Sequence, residues 1–295
     1  MPGPSKAAVL RELYRSQQPL VCPIAHDALS VRLVEQAGFK AFNIGGNSLL
    51  AARYALPDLG IGALGEMAAG IADVVGASDL PCIADGDDGY GDVKSVVRLI
   101  NVYESMGVAG VLLEDQLRDG KQPGAATARG VAPIDKFENK LRAAMDARRD
   151  KDFVIIGRTD SFGAVGIDEA LKRGERFLKL GCDGVFVAGI KTVPDFERVG
   201  KAFKGQWNVA AIFQGMGTPI LPPSELHAMG FSQIVFPNIL IGRVAKAVEQ
   251  GLARLRDFAG GNANAFKDSD AELALKSLSE AVNTGRWNSI ETKYS

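Results

Sequence analysis

A helical pattern that ends at a glycine and continues into a short apolar run recurs along the chain. Its clearest copies read EQAGFKAFNIGG, ESMGVAGVLLED, KLGCDGVFVAG and HAMGFSQIVFP. A left-handed backbone costs glycine nothing, so the glycine in each copy is predicted to end a helix. These glycines are Gly38, Gly107, Gly181 and Gly230.

The segments before the glycines carry apolar residues at helical spacing. Val93, Val96, Val97 and Ile100, for example, are predicted to share one buried face. The runs after the glycines are almost continuously apolar, which is typical of parallel strands covered on both faces. The repeat therefore predicts alternating helices and strands.

Eight such apolar runs follow one another, separated by helical segments. Eight β/α units in series favour a closed (β/α)₈ barrel of the α/β class, with a doubly wound open sheet as the alternative. The predicted strands are Leu20–Ala25, Ala41–Gly45, Cys82–Asp87, Gly110–Asp115, Phe153–Arg158, Gly184–Ala188, Val209–Phe213 and Gln233–Pro237.

A length of 295 residues suits one barrel domain, and no interior linker is rich in Pro or Ser. We therefore expect residues 1–295 to form a single domain. Beyond the last unit, Asp268–Ser295 adds charged helix and an aromatic tail that contains Trp287 and Tyr294. This extension is predicted to cap the barrel or to pack on a neighbouring subunit.

The charge balance argues against nucleic acid and membrane surfaces as partners. Net charge is −1 and no Lys/Arg block is present. No apolar run approaches the ~18 residues of a membrane span, and the first residues do not resemble a secretory signal. Cys22, Cys82 and Cys182 lack CxxC spacing and lie in or beside apolar runs, which indicates reduced core thiols. We expect a cytoplasmic enzyme with a small-molecule substrate.

Polar residues cluster where the third, fourth and fifth predicted strands end, the position of barrel active sites. Converging carboxylates repel one another, and a bound hard cation removes the free-energy cost of this repulsion. Oxygen ligands without nearby His or Cys favour Mg²⁺ or Mn²⁺. A turn or helix-capping role is the alternative, above all for Asp88 and Asp160. The residues are Asp85, Asp87, Asp88, Glu114, Asp115, Arg158 and Asp160.

Three further features lie on the same predicted rim. Arg158 suits a substrate carboxylate or a developing enolate oxygen, with a structural ion pair as the alternative. The stretch FNIGGNS offers backbone N–H groups at its glycines and side-chain donors at Asn47 and Ser48. His26, just before a predicted Asp27 cap, is one of two histidines in the chain, so a Ser–His triad or a His-based metal site is not expected.

The segment Gln116–Pro133 is long and rich in Gly and Ala. Long rim loops often act as lids, although a disordered surface loop is the alternative. As a lid, it would bring Lys121 or Arg129 toward a bound anion.

The motifs FNIGGNS, LPDLGI, ADGDDGYG, LLEDQ and IIGRTD, in this order, resemble the isocitrate lyase/phosphoenolpyruvate mutase superfamily. The likeness extends nearly end to end, and RWNSIETKY is similar to the tails of the smaller lyases. The resemblance implies a barrel with a swapped C-terminal helix, a homotetramer, and 2-oxo acid chemistry with Mg²⁺.

The resemblance also implies roles for individual residues. Asp58 would lie near substrate as a catalytic group, and Arg158 would face the enolate; Lys121, brought in by the predicted lid, is expected to be the third catalytic group. The metal ligands implied are Asp85, Asp87 and Glu114. The implied substrate-binding residues are Gly45, Gly46, Asn47, Arg158, Gln214 and Asn238.

The chain departs from each branch of the superfamily. The lyase loop reads KKCGH or KRCGH, whereas this chain has KQPGA, with Pro123 at the acid/base Cys and Ala125 at the His. Ala188 and Ala211 replace a Glu and an Asn of the lyases. AHDALS is close to AHNGLS of the phosphonate-transferring members, but their loop Asn is missing. Members similar to oxaloacetate decarboxylase share a Cys-less loop, yet their His aligns with Asn238.

Because the lyase acid/base groups are missing, cleavage of isocitrate or methylisocitrate is not expected. Decarboxylation of oxaloacetate needs only an electron sink at the keto oxygen, followed by protonation. The sequence therefore predicts an Mg²⁺-dependent carbon–carbon lyase or decarboxylase that works through an enolate. The alternatives are phosphonopyruvate P–C chemistry, a hydrolase of acyl-oxo acids, and a non-catalytic barrel that binds metal and carboxylate.

Overall fold

A computed structural model of the chain describes residues 3–16, 19–119, 121, 130–265 and 271–295. Its strands form a closed, all-parallel barrel in sequence order, and Leu20 of the first strand pairs with Gln233 of the last. This confirms the (β/α)₈ prediction and excludes the open sheet. The strands are β1 (Leu20–Ala25), β2 (Phe42–Ile44), β3 (Cys82–Asp85), β4 (Gly110–Glu114), β5 (Val154–Thr159), β6 (Gly184–Val187), β7 (Trp207–Ala211) and β8 (Gln233–Phe236).

Helices surround the barrel and alternate with its strands. The helices of the described residues are α1 (Lys6–Ser16), α2 (Ala28–Gln36), α3 (Gly46–Tyr54), α4 (Leu64–Gly76), α5 (Val93–Ser105), α6 (Ile134–Ala147), α7 (Ser161–Ala164), α8 (Ile167–Leu180), α9 (Val193–Ala202), α10 (Pro223–Met229), α11 (Ile239–Ala259), α12 (Ala271–Ala281) and α13 (Thr284–Tyr294).

The bounds of β1 are those predicted, and most other strands differ from the prediction by one residue at an end, but β3 and β7 differ by two. β3 ends at Asp85 rather than Asp87, because Asp87 has a φ of 48°, which a strand cannot accommodate. β7 begins two residues early, at Trp207, and ends at Ala211 rather than Phe213. Both changes place the last predicted residues in loops on the barrel rim.

The predicted buried face of α5 is partly wrong. Val93 is 40 % exposed and Val97 is 38 % exposed. The helix buries Val96, Leu99, Ile100 and Tyr103, whose spacing forms a single face toward the barrel.

The four predicted helix-ending glycines all have positive φ. The reason is sharpest at Gly230, which has a φ of 118° and follows α10. A Cβ atom there would lie 2.2 Å from the carbonyl oxygen of Gly200. Both backbone conformation and space therefore require glycine at this position.

The N-terminal helix α1 closes one end of the barrel, a role that the sequence pattern did not indicate. Leu10 is buried among the inward side chains of the strands. Tyr14 stacks on Trp207 with ring centroids 4.0 Å apart. With this end filled, ligand access is left to the opposite end, where the strands have their carboxyl ends.

The C-terminal helices expose many of their apolar side chains. No residue of α11 is buried, and Val248 and Leu252 are 55 % and 60 % exposed. Trp287 on α13 is 63 % exposed. The expected packing of residues 268–295 on a neighbouring subunit stays a prediction.

All three cysteines are free and buried, as predicted. Among the described residues, no helix combines the length and the apolar character needed to cross a membrane.

Candidate active site

A cavity of about 130 Å³ opens at the carboxyl ends of the barrel strands. Every strand contributes to its wall, from Ile24 of β1 to Val235 of β8. Most of the residues predicted from the sequence meet here. Those that line the cavity are Gly45, Gly46, Asn47, Ser48, Asp58, Asp85, Lys121, Arg158 and Asn238.

Asp85 is the last residue of β3 and is held by backbone donors. Its carboxylate accepts hydrogen bonds from the N–H of Gly46 at 3.1 Å and from the N–H of Asp87 at 3.0 Å. A Cβ atom on Gly46 would lie 3.2 Å from the same carboxylate, so glycine permits the close approach of α3. The start of α3 and the end of β3 therefore form one wall.

Lys121 extends from the predicted lid into a group of buried carboxylates. Its Nζ lies 3.0 Å from Asp58 and 2.9 Å from Glu114, and it donates a hydrogen bond to Asp87. The ammonium group thus links β4, the loop after β3 and the loop after α3.

The carboxylates outnumber the cations in this buried cluster, and their pKa values reflect it. Burial raises the pKa of Asp87 to about 6 and raises the pKa of Asp58 and Asp85 as well. Burial opposes the ionisation of Glu114, but Arg158 and Lys121 outweigh it and lower its pKa. Burial also opposes the charge of Lys121, yet the surrounding carboxylates raise its pKa, so it stays protonated.

Arg158 lies near the end of β5, between this cluster and Asp160. Its Nη1 is 2.9 Å from Glu114, and its Nη2 donates a 2.9 Å hydrogen bond to Asp160. The guanidinium also lies over the ring of Phe186, 5.5 Å from the centroid. Within the described part of the chain, its buried Nε has no hydrogen-bond partner. Arg158 therefore combines the predicted ion pair with a donor that remains available.

Asp160 is held behind Arg158 rather than capping a helix through its side chain. Burial raises its pKa to about 7, against the opposing effect of Arg158. Its Oδ1 also accepts a hydrogen bond from Gln116 at 3.2 Å. Asp160 thus positions both Arg158 and the start of the predicted lid.

The fit of these residues to a divalent cation can be judged from their chemistry. In the described ranges, no group of three or more His, Cys, Asp or Glu side chains is arranged to hold a metal ion. Lys121 Nζ lies among the carboxylates instead. Asp85, Asp87 and Glu114 nevertheless supply more carboxylate groups than there are neighbouring cations, and Asp87 and Glu114 are buried, which suits Mg²⁺. Binding would require Lys121 to leave its present position.

Two of the predicted rim residues have structural roles. Asp115 accepts hydrogen bonds from Thr159, from the backbone N–H of Asp160 and from Arg173. Asp88 pairs with Arg118 at 2.6 Å and with Lys140 at 3.2 Å. These contacts fix the loops that carry the cluster.

Other predicted residues lie elsewhere. The Gln214 side chain does not line the cavity and accepts a hydrogen bond from Arg243 at 3.3 Å. His26 lines a separate groove between α2, α3 and α4, and Asp27 caps α2 as expected. Pro123, Ala125 and Arg129 lie outside the described residues.

The sequence analysis overlooked an apolar part of the wall. Phe186, Phe213 and Met216 line the cavity where β6 and β7 end. Phe186 and Phe213 lie at the ends of predicted strands, which was a usable signal, but they were included in the apolar runs. Met216 lies in the loop after β7 and was not singled out.

The comparisons with known proteins agree with this geometry. Residues 10–256 match the family profile described as phosphoenolpyruvate phosphomutase. The chain is 34% identical over 242 residues to 2,3-dimethylmalate lyase from Eubacterium barkeri, covering 82% of this chain and 83% of the relative.

Solved structures give the same result. Oxaloacetate acetylhydrolase with 3,3-difluorooxalacetate has a TM-score of 0.85 at 27% identity, with 97% of each chain covered. Phosphonopyruvate hydrolase with oxalate and Mg²⁺ has a TM-score of 0.85 at 27% identity, with 99% of each chain covered. The chain belongs to the phosphoenolpyruvate mutase/isocitrate lyase superfamily. Its relatives support an enzyme with lyase chemistry at carbon–carbon bonds.

Proposed function

We propose that this chain is an Mg²⁺-dependent enzyme that cleaves the bond next to the carbonyl group of a small 2-oxo acid through an enolate. The observation that supports this proposal most strongly is that a buried carboxylate cluster and Arg158 lie together on one wall of the cavity. The carboxylates provide ligands for a hard cation, and Arg158 provides a fixed positive charge beside the position where negative charge would develop.

Different residues of the chain would bind different groups of the substrate. The first turn of α3, with Gly46 and Asn47 at the cavity, would receive the substrate carboxylate, because helix N-termini favour anions. Arg158, with its unpaired Nε in the described structure, would hold the keto oxygen. Its charge would stabilise the enolate more than the ground state, which is what accelerates the reaction.

Asp85, Asp87 and Glu114 would hold Mg²⁺, directly or through water. The ion, when bound, supplies charge neutralisation and polarises the keto oxygen. Lys121, displaced from the carboxylates, would remain protonated and would pair with an anionic group of the substrate. Asp58 would lie beside it at the cavity wall.

The departures from the lyase pattern favour decarboxylation over retro-Claisen cleavage. Decarboxylation of oxaloacetate leaves its electron pair on the keto oxygen and needs no base for a hydroxyl proton. The lyase loop acid/base is replaced by Pro123, which has no proton to give. An oxaloacetate-hydrolysing relative with this fold supports the substrate class.

Titration of the protein with oxalate, an enolate mimic, in the presence of Mg²⁺ tests the site. Asp87→Asn should reduce oxalate affinity by at least about tenfold, since a ligand charge is lost. Asp92→Asn, on the exposed cap of α5, is the matched control and should bind as the unmodified protein does. Unchanged oxalate affinity in Asp87→Asn, or in EDTA, would contradict the metal assignment.

We also propose a homotetramer in which the C-terminal helices pack on neighbouring subunits. The exposed apolar side chains of α11 and α13 support this arrangement, because apolar surface of this kind is seldom left in water.

A further inference from the structure

The central cavity has two chemically different halves. The polar half consists of the charged groups and helix start that follow β2 to β5. The apolar half consists of Phe186, Ala188, Ala211, Phe213, Met216, Val235 and Pro237. Because β2–β5 and β6–β8 are each contiguous in the closed barrel, the two halves face each other.

The apolar half offers no charge to a ligand. Among the described residues that line the cavity, the basic ones are Lys121 and Arg158, and both belong to the polar half. The polar side chain beside the apolar half is Asn238. Its amide donates to the backbone oxygen of Gln214 at 2.7 Å and accepts from the N–H of that residue at 3.2 Å. Asn238 is therefore already engaged with the backbone.

The apolar half also continues beyond the central cavity. A recess of about 40 Å³ shares the walls formed by Phe186, Phe213 and Met216 and extends to Ile190 and Phe196, with Lys191 and Thr218 also in its lining. A substituent longer than a methyl group therefore has apolar surface to contact beyond the reacting carbon.

Taking the proposed function as its basis, we propose that the substrate carries an alkyl or aryl group on the carbon next to its keto group, in addition to the carboxylate that leaves as CO₂. The polar half would bind the 2-oxo acid, and the apolar half would bind the substituent. A carboxylate in that half would lose its water without gaining a partner. Each buried methylene strengthens binding by about fourfold. Oxaloacetate would then be turned over with a high KM.

Calorimetric titration of the Mg²⁺-loaded protein with three stable 2-oxo acids tests this proposal. Pyruvate reports the polar half alone. 2-Oxoglutarate adds a distal carboxylate, and 5-methyl-2-oxohexanoate replaces that carboxylate by an isopropyl group of the same shape. The isopropyl compound should bind at least about tenfold more tightly than pyruvate. 2-Oxoglutarate should bind no more tightly than pyruvate.

A pair of variants at Met216 provides the matched control. This side chain lines the apolar half and is 53 % exposed, so substitution should not prevent folding. Met216→Arg should reverse the preference toward 2-oxoglutarate by at least about tenfold, since it adds a partner for the carboxylate. Met216→Leu should keep the preference of the unmodified protein.

Equal or tighter binding of 2-oxoglutarate by the unmodified protein would overturn the inference. Lys191, an exposed residue at the recess, is the group that would produce that result. If pyruvate and oxalate both fail to bind, the proposed function itself fails. If they bind but the isopropyl group adds no affinity, the proposed function stands and this inference alone is wrong.

Discussion

Replacing Arg158 by glutamine removes the positive charge that the proposed reaction needs. The side chain is close to Glu114 and Asp160, each at 2.9 Å, and its Nε is the donor offered to the keto oxygen. Loss of a single preorganised donor to a developing oxyanion costs about 10²–10³ in rate, or roughly 3–4 kcal/mol. Arg158→Gln should therefore lower Mg²⁺-dependent oxaloacetate decarboxylation by that factor.

The same change removes a partner from two buried carboxylates, so loss of stability must be separated from loss of catalysis. Arg148→Gln is the matched control, because Arg148 is 2.9 Å from Asp183 and its side chain is 21% exposed, against 16% for Arg158. Arg148 lies at the opposite end of the barrel, beside the start of β6. Urea unfolding should detect destabilisation in both variants, and the rate per folded molecule should fall only in Arg158→Gln. A folded Arg158→Gln variant that retains the original rate would refute the role given to this charge.

Three further predictions follow from the charges and surfaces of the barrel. In EDTA, the free energy of unfolding should fall as pH rises from about 4 to about 7, because the folded state keeps protons on Asp87 (pKa about 6) and Asp160 (pKa about 7) that the unfolded chain has lost. Added Mg²⁺ should restore stability above this pH range. A free energy of unfolding that does not change with pH would contradict the raised pKa values. Leu252→Glu on α11 should reduce the assembled mass in sedimentation velocity, whereas Gln250→Glu on the same helix should not; an unchanged mass in both would exclude this face from the interface. Substitution of any of the three buried cysteines by alanine should leave turnover per folded molecule unchanged, because burial raises the pKa of each thiol to about 12 and no cysteine lines the cavity. A loss of turnover would reveal a role for a thiol in the reaction.

The barrel could be predicted from the sequence because its signals are local. Glycines such as Gly181 end helices through a backbone conformation that other residues rarely adopt, and the runs that follow are apolar enough to be buried on both faces. Asp85 and Arg158 were predicted at strand ends for the same reason, since strand order alone brings them to one rim.

Other features depend on contacts distant in sequence. Nothing local indicates that Lys121 lies among carboxylates from two other loops, or that α1 fills the far end of the barrel. The role of Phe186 was missed because an apolar residue at the end of a strand has the same local pattern whether it lines a cavity or the core. These placements follow from barrel closure, which no short segment encodes.

The most direct test of the central claim is pyruvate release by the Mg²⁺-loaded protein, measured with saturating oxaloacetate and, separately, with methylisocitrate. The account predicts oxaloacetate turnover above the rate with Mg²⁺ alone and no more than trace cleavage of methylisocitrate, because the electron sink is retained and the lyase loop acid/base is replaced by Pro123. Efficient methylisocitrate cleavage, with oxaloacetate decaying at the rate of Mg²⁺ alone, would contradict it.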